Sequence, residues 1–404
     1  MENTNSYQPR LPDAIVDDIL LCLPAKSLLR FKLVSKPWNS LISTPNFAES
    51  HLNRTNTIIS QGKRSANLLR LGQMSILERD RRQGHPPSLS LDSMDADGSN
   101  REVVTIDLGR DTNYSRDSIL GSCNGLLLVQ SGREDYFLLN PSTRKYKKIA
   151  PLRHFLHLND EARFISGLAY ESTSRNYKGI IVSHDISGGT SSPHRAYPMQ
   201  YVSFNIYDDN LQNWKSKGYG EFHPYRLCSS DSAVMVNGIP HWCVCRRHEG
   251  ARDENDEFGQ IRFRVNYVIV YVDLKTEKVK EVGLPEWALT EVKFNLGVLG
   301  GCLCMSLHPQ GSSTSIQVWA MKVYGIAESW TKLFVIESSF FRELRPLCFI
   351  GTGKNQVLMQ ESGGRLTIFN LKEETEQMLA FFQSVWTYHV ESLVLPGRRS
   401  WKRS

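Results

Sequence analysis

The sequence lacks the long apolar stretches that mark membrane and secreted proteins. No run approaches the roughly 18 apolar residues that a membrane-spanning helix needs. The first residues, MENTNSYQPR, are polar and contain no apolar core of a secretory signal. We therefore expect a protein of the cytoplasm and/or nucleus, with no membrane insertion, whose 8 cysteines are reduced thiols.

Strong net charge and catalytic motifs are also scarce. Lys+Arg 48 against Asp+Glu 42 gives +6 over 404 residues, which is too mild an excess to predict a nucleic-acid partner. No nucleophile elbow or zinc-protease helix is present, so we predict no catalytic residue and no cofactor. Two pairs of cysteines have C-x-C spacing, which is shorter than zinc knuckles use. We predict no metal site, and expect packing roles for His241, Cys243, Cys245, Cys302 and Cys304.

Apolar side chains are instead abundant between residues 11 and 47. Proline divides this segment into three predicted short helices: Pro12 opens the first, Pro24 ends it, and Pro45 closes the third. A unit of roughly 40 residues lies near the lower limit for folding alone, and it has more apolar groups than it can bury internally. The segment is therefore either a helical cap packed on the rest of the chain or a docking module for another protein.

The segment contains the ordered motifs Leu11-Pro12, Ile19-Leu20, Leu23-Pro24, Arg30-Phe31 and Val34-Ser35-Lys36. Together they resemble the F-box of plant proteins, a helical module that docks on the adaptor Skp1 in SCF-type ubiquitin ligases and, through it, on a cullin. The resemblance implies that a set of apolar residues contacts Skp1. The set is Leu11, Pro12, Ile15, Ile19, Leu20, Leu23, Pro24, Leu28, Leu29, Val34 and Trp38.

The rest of the chain carries the signals of short strands. A polar segment at 80–101 predicts a loop, and from Val103 onward strand signals recur about every ten residues. Five hairpins follow one loose pattern, in which an apolar strand, a polar turn and a second strand succeed each other. The residue at which each first strand ends and its turn begins is here called the anchor of the hairpin. The anchors are Asn140, Asp208, Asp273, Met321 and Asn370. Such repeats predict propeller blades of uncertain number, with a β-sandwich as the alternative.

These segments also resemble a known domain. GSCNGLLLV, LLNPSTRKYKKIAP and VWAMKVYGIAESWTKLF are similar to the type 1 F-box-associated domain of plant F-box proteins, and Gly300-Gly301 resembles the glycine doublet of kelch-like blades. The predicted fold is α+β and multidomain, a three-helix F-box followed by a propeller-like domain. The predicted divisions are the F-box at 8–52, connecting strands and a mobile loop at 53–101, the β domain at 102–395 and a basic tail at 396–404.

The resemblance implies a non-catalytic adaptor that docks on Skp1 and holds an unknown target protein for ubiquitylation and degradation. The resemblance implies that pathways such as immune-receptor turnover and pollen self-recognition are possible settings, since members of this plant family act in them. We expect the target to bind loops of the β domain, because loops on a rigid scaffold carry binding. Two alternatives remain: a propeller enzyme or small-molecule binder with the helices as a structural cap, and a Skp1-bound scaffold that does not cause degradation.

Overall fold

The computed structural model describes most of the chain. The described residues are 11–60, 67–71, 88–108, 117–132, 134–152, 163–185, 201–217, 222, 225–227, 233–247, 265–288, 293–307, 315–337, 343–351, 353–361, 364–381, 386–396 and 401–403. Residues 8–10 of the predicted F-box and the arginines at 398 and 399 of the predicted tail lie outside them.

Four helices form the N-terminal part, here called the head. They are α1 (Asp13–Leu21), α2 (Ala25–Phe31), α3 (Lys36–Ile42) and α4 (Pro45–Ser60). Pro12 and Pro24 precede the first two helices, where their carbonyls accept the N–H groups of Ile15 and Leu28 at 2.9 and 3.1 Å. The three predicted helices correspond to α1, α2 and α3, and Pro45, predicted to close the third, lies after its end. Pro45 begins a fourth helix because a proline fits the first helical turn, which needs no N–H donor there.

Six antiparallel sheets follow among the described residues. The first contains β1 (Asn67–Leu71), β2 (Ser88–Asp95) and β3 (Arg101–Asp107), and the second β4 (Asp117–Cys123), β5 (Leu126–Ser131), β6 (Asp135–Asn140) and β7 (Lys145–Ile149). The third contains β8 (Arg163–Glu171), β9 (Asn176–Asp185), β10 (Tyr201–Asp208) and β11 (Asn213–Ser216).

The fourth sheet contains β12 (Tyr225–Arg226), β13 (Val234–Val236), β14 (Ile239–Arg247), β15 (Val265–Asp273) and β16 (Lys278–Val282). The fifth contains β17 (Phe294–Leu299), β18 (Cys302–Leu307), β19 (Ser315–Met321) and β20 (Trp330–Glu337), and the sixth β21 (Leu344–Ile350), β22 (Gln356–Glu361), β23 (Arg365–Asn370) and β24 (Thr375–Phe381). The arrangement is a six-bladed β-propeller, which confirms the predicted fold class and rules out the β-sandwich.

The end of the chain closes the ring. The strand β25 (Thr387–His389) pairs with β1, placing His389 opposite Asn67 and Thr387 opposite Leu69, so the first sheet combines both ends of the β domain. A two-residue strand, β26 (Lys402–Arg403), pairs with the outer strand β7. Without β25, the inner edge of β1 would be unpaired, and the radial arrangement leaves only short, protected edges on the blades.

Two segments differ from their predicted structure. The sequence predicts a loop over 80–101, whereas residues 88–95 form β2, which pairs along its length with β3. The tail is not wholly solvated, since it contributes β26, and the Trp401 indole N–H donates to the Pro396 carbonyl. The tail strand was missed because its partner β7 lies far away in sequence. In contrast, β2 was missed although Leu89 and Leu91 alternate with polar residues, since the Pro, Ser and Asp content of 80–101 is typical of a loop.

The five predicted hairpins join the third and fourth strands of blades two to six, and four share one turn. In each of the four, the Asn or Asp oxygen accepts the N–H of the residue three positions later, as Asp208 does from Leu211 at 3.0 Å. The residue four positions after the anchor then has a positive φ. These residues are Arg144, Gln212, Glu277 and Glu374. The blade-five hairpin begins at Met321, which has no side-chain oxygen, and contains a 3-10 turn at Ala327–Ser329.

Glycines let the innermost strands approach each other closely. A Cβ on Gly121 would lie 2.4 Å from the backbone nitrogen of Leu168 in the next blade, and one on Gly297 would lie 2.1 Å from the Pro346 carbonyl oxygen. The apolar, glycine-containing segments of the sequence are therefore the inner strands. Further out, tryptophans join neighbouring blades: Trp214 Nε1 donates to the Ala150 carbonyl at 2.7 Å.

Candidate functional site

One side of helix α1 presents a row of exposed apolar side chains. Leu11, Ile15 and Ile19 are 58%, 46% and 48% exposed. The four-residue spacing of Ile15 and Ile19 places them above each other on one face of α1, and Leu11 lies just before the start of the helix. Pro12 beside them is also exposed. After α2, Leu33 and Val34 are 90% and 68% exposed. Apolar surface of this kind marks a protein interaction site.

The other predicted Skp1-contacting residues lie deeper. Leu20 and Leu28 are fully buried in the core of the head, so the prediction that they touch a partner does not fit their position. They support the exposed face from below, because a helix that exposes one stripe must bury the opposite stripe. Four more of the predicted residues are half-buried. They are Leu23, Pro24, Leu29 and Trp38.

The most exposed of these apolar side chains, Leu33, was not among the predicted contact residues. Leu33 follows the last residue of α2 by two positions, in the turn before α3.

A C-terminal segment, residues 390–396 and here called the strap, joins the head to the propeller. Leu393 is 6% exposed and lies in the same apolar core as Leu20 and Leu28. On its other side the strap is held by the second blade, where Asn140 Nδ2 donates to the carbonyls of Ser392 and Val394, each at 3.0 Å. The core of the head is therefore completed by residues from the far end of the chain.

Ion pairs also connect the head to the propeller. Lys26 of α2 pairs with Glu102 of the first blade and lies 4.0 Å from Glu391 of the strap. Glu49 of α4 lies 3.4 Å from Arg175 in the turn between β8 and β9. Exposed pairs of this kind contribute little energy each, so the apolar contact of Leu393 is the stronger link.

These contacts assign the two faces of the propeller. The head packs on the face formed by turns such as the one between β8 and β9. Successive connections of an antiparallel sheet alternate between its ends, so the next connections lie on the opposite face. The ends of β1, β9 and β14 lie on this opposite face, and the residues that follow them, 72–87, 186–200 and 248–264, are outside the described part of the chain.

Comparison with known proteins places this architecture in a family. A profile of the F-box domain matches residues 9–50, and a profile of the F-box-associated β-propeller domain matches residues 90–394. The chain belongs to the F-box-associated propeller family of plant F-box proteins. One relative, "F-box protein CPR1" of Arabidopsis thaliana, is 28% identical over 398 residues, covering 95% of this chain and 87% of CPR1. The Arabidopsis "F-box/kelch-repeat protein At3g23880" is 24% identical over 334 residues, with 81% and 79% covered.

Solved structures give weaker similarity to this F-box protein. An ulvan lyase of polysaccharide lyase family PL25 aligns with a TM-score of 0.38 and 11% identity, covering 80% of this chain and 76% of the lyase. An oligogalacturonate lyase aligns with a TM-score of 0.35 and 11% identity, covering 72% and 71%. Similarity at this level carries no argument about function.

The histidine and cysteines considered as ligands have packing roles in this F-box protein. His241 Nε2 lies 2.8 Å from the Tyr324 hydroxyl and Nδ1 lies 3.0 Å from the Ile239 carbonyl, and burial lowers the pKa of His241 to about 4. Burial raises the pKa of the Cys304 thiol to about 12. Neither group is set up as a catalytic base or thiolate, because both stay neutral near pH 7.

The expectation of reduced thiols is wrong at one position, since Cys245 is disulfide-bonded. Six other described cysteines are free. Within the described ranges, no group of three or more His, Cys, Asp or Glu side chains is placed to hold a metal ion. No helix in that part of the chain is long and apolar enough to cross a membrane.

Proposed function

We propose that this protein is the substrate-recognition subunit of an SCF-type ubiquitin ligase, acting without catalysis in the cytoplasm and/or nucleus. The observation that carries the proposal is the exposed row of Leu11, Ile15 and Ile19 in a segment that matches the F-box family. The apolar surface on the other side of the head is already covered by Leu393 of the strap. The exposed row therefore remains available for a Skp1-type adaptor, and through it for a cullin.

The second part of the proposal places the target protein on the face of the propeller opposite the head. Long connections on a rigid scaffold are common binding surfaces, and the strand ends that lead to residues 72–87, 186–200 and 248–264 lie on that face. The contribution of the chain to the reaction would be proximity, which raises the effective concentration of target lysines near a ubiquitin-charged enzyme.

A binding measurement with a Skp1-type adaptor tests the docking face. We expect the double variant Ile15→Ser, Ile19→Ser to bind at least about tenfold more weakly, since a truncated contact residue at the centre of an interface costs about 1–3 kcal/mol. The control Val335→Ser removes an apolar side chain that is 43% exposed on the fifth blade and should bind normally. Unchanged affinity of the double variant, with unchanged thermal unfolding, would refute the docking face.

Depletion of the protein in cells then separates a ligase subunit from a scaffold. Proteins captured by the propeller should increase in abundance and lose ubiquitin when the chain is removed or carries Ile15→Ser and Ile19→Ser. Constant abundance of every captured protein, together with retained adaptor binding, would favour the non-degradative scaffold. The variant Ile15→Ser, Ile19→Ser should still bind a target, because the proposed target-binding surface is the face of the propeller opposite the head.

A further inference from the structure

A cavity of about 400 Å³ lies between the head and the propeller, beside the strap. Helix α4 and the end of α3 form one wall, the turns of the second and third blades form another, and Leu393 to Pro396 of the strap close a third side. This volume falls within the range of small-molecule sites, which are often found between domains.

The walls of the cavity are largely apolar and aromatic. Ala48 and Leu52 of α4 contribute buried aliphatic surface. Opposite them, the rings of Tyr170 and Tyr177 lie with centroids 4.8 Å apart, and Trp401 also lines the space. Such walls match a flat apolar or aromatic body, because aromatic rings pack against one another at these distances.

The charged residues around the cavity are mostly cations. Lys32, Lys145 and Arg175 line it, against a single carboxylate, Glu49. Glu49 is already 3.4 Å from Arg175. Lys145 is half-buried, and its side chain has no hydrogen-bond or ion-pair partner among the described residues. A carboxylate placed beside Lys145 would therefore gain a charge-assisted hydrogen bond without displacing an existing one.

We propose that this cavity binds a small organic acid, with an aromatic or apolar body against α4 and the tyrosines and its carboxylate at Lys145 and Arg175. Such a ligand would contact the head, the strap and the propeller at once. Binding would stabilise the docked position of the head, since a ligand that binds only the assembled form shifts the equilibrium toward it. The inference does not depend on the identity of the adaptor or of the target.

Calorimetric titration of the full chain with 2-naphthoate tests the charge requirement. We expect one saturable site with a dissociation constant of about 1 mM or tighter, as fragment-sized ligands show. The neutral analogue 2-naphthamide and the Lys145→Gln variant should each bind at least about tenfold more weakly. The control Lys148→Gln lies on the same strand, but its side chain is 58% exposed and pairs with Asp135 at 2.8 Å; it should bind 2-naphthoate normally.

A second variant tests the position of the site. Ala48→Leu adds three carbons to the buried wall and should abolish binding of 2-naphthoate while thermal unfolding still shows a folded chain. The proposal is overturned if 2-naphthoate shows no saturable binding, if 2-naphthamide binds equally well, or if folded Ala48→Leu and Lys145→Gln both retain the affinity of the unaltered protein.

Discussion

Truncation of Leu393 should loosen the head while leaving the propeller intact. This side chain is 6% exposed and belongs to the core of the head. Removal of a buried leucine side chain costs about 2–5 kcal/mol. At about 0.05–0.15 kcal/mol per residue, a unit of roughly 50 residues has only about 3–8 kcal/mol of stability. Leu393→Ala therefore removes much of what keeps α1 to α4 folded.

Hydrogen exchange followed by mass spectrometry resolves this effect by segment. In Leu393→Ala, amides of α4 should exchange at least about 30-fold faster, the factor that corresponds to 2 kcal/mol. Amides of β18 and β19 should be unchanged. The control Leu211→Ala shortens a leucine that is 61% exposed in a propeller turn and should alter neither segment. Unchanged exchange in α4, or equal acceleration in α4 and β18, would refute the role of the strap.

Three further predictions concern the propeller. Gly297→Ala should lower the free energy of unfolding, measured with denaturant, by about 1–3 kcal/mol, because the added Cβ would lie 2.1 Å from the Pro346 carbonyl oxygen. The control Gly353→Ala should change the free energy of unfolding little. Equal effects of the two variants would contradict the close approach at Gly297. Burial raises the pKa of the Glu277 carboxyl, but three lysines lower it by more, so the pKa lies below its ordinary value of 4.5. The ionised carboxylate therefore stabilises the folded protein fully above pH 4.5, and this contribution is lost as pH falls through the lowered pKa. In Glu277→Gln the loss of stability at acid pH should be smaller. Glu374→Gly should raise the free energy of unfolding slightly, since residue 374 has a φ of 53°, a backbone conformation that glycine adopts without the steric cost of a side chain.

Much of the propeller could be predicted from local patterns. The Asn or Asp that begins four of the outer hairpins is visible in the sequence because its side chain accepts a hydrogen bond within the turn, as Asn370 does. The first blade was not recognised as a blade, although its strand at 67–71 was predicted, because its inner strand comes from residues 387–389. Its own turn, Asp95 to Asn100, has the composition of a linker. Pairing between strands about three hundred residues apart leaves no local pattern.

The exposed apolar face of the head was predicted only in part for the same physical reason. Leu11, Ile15 and Ile19 were predicted as contact residues together with Leu20 and Leu28, and the structure leaves the first three exposed. Which leucines lie on the opposite side depends on what covers them. The burial of Leu20 and Leu28 involves Leu393, and no periodicity within the first fifty residues could indicate that partner.

The strap and β25 have a consequence for the synthesis of the chain. The ribosome makes the helices before the blades, yet the leucine that completes their core and the strand that closes the ring are made only after the sixth blade. Throughout translation of the blades, the head exposes apolar surface on both sides. A product of a premature stop codon in the sixth blade would keep that surface and an open edge on its first sheet, the features that quality-control chaperones and proteases recognise. Synthesis must therefore pass the strap before the core of the head and the ring of blades can both be closed.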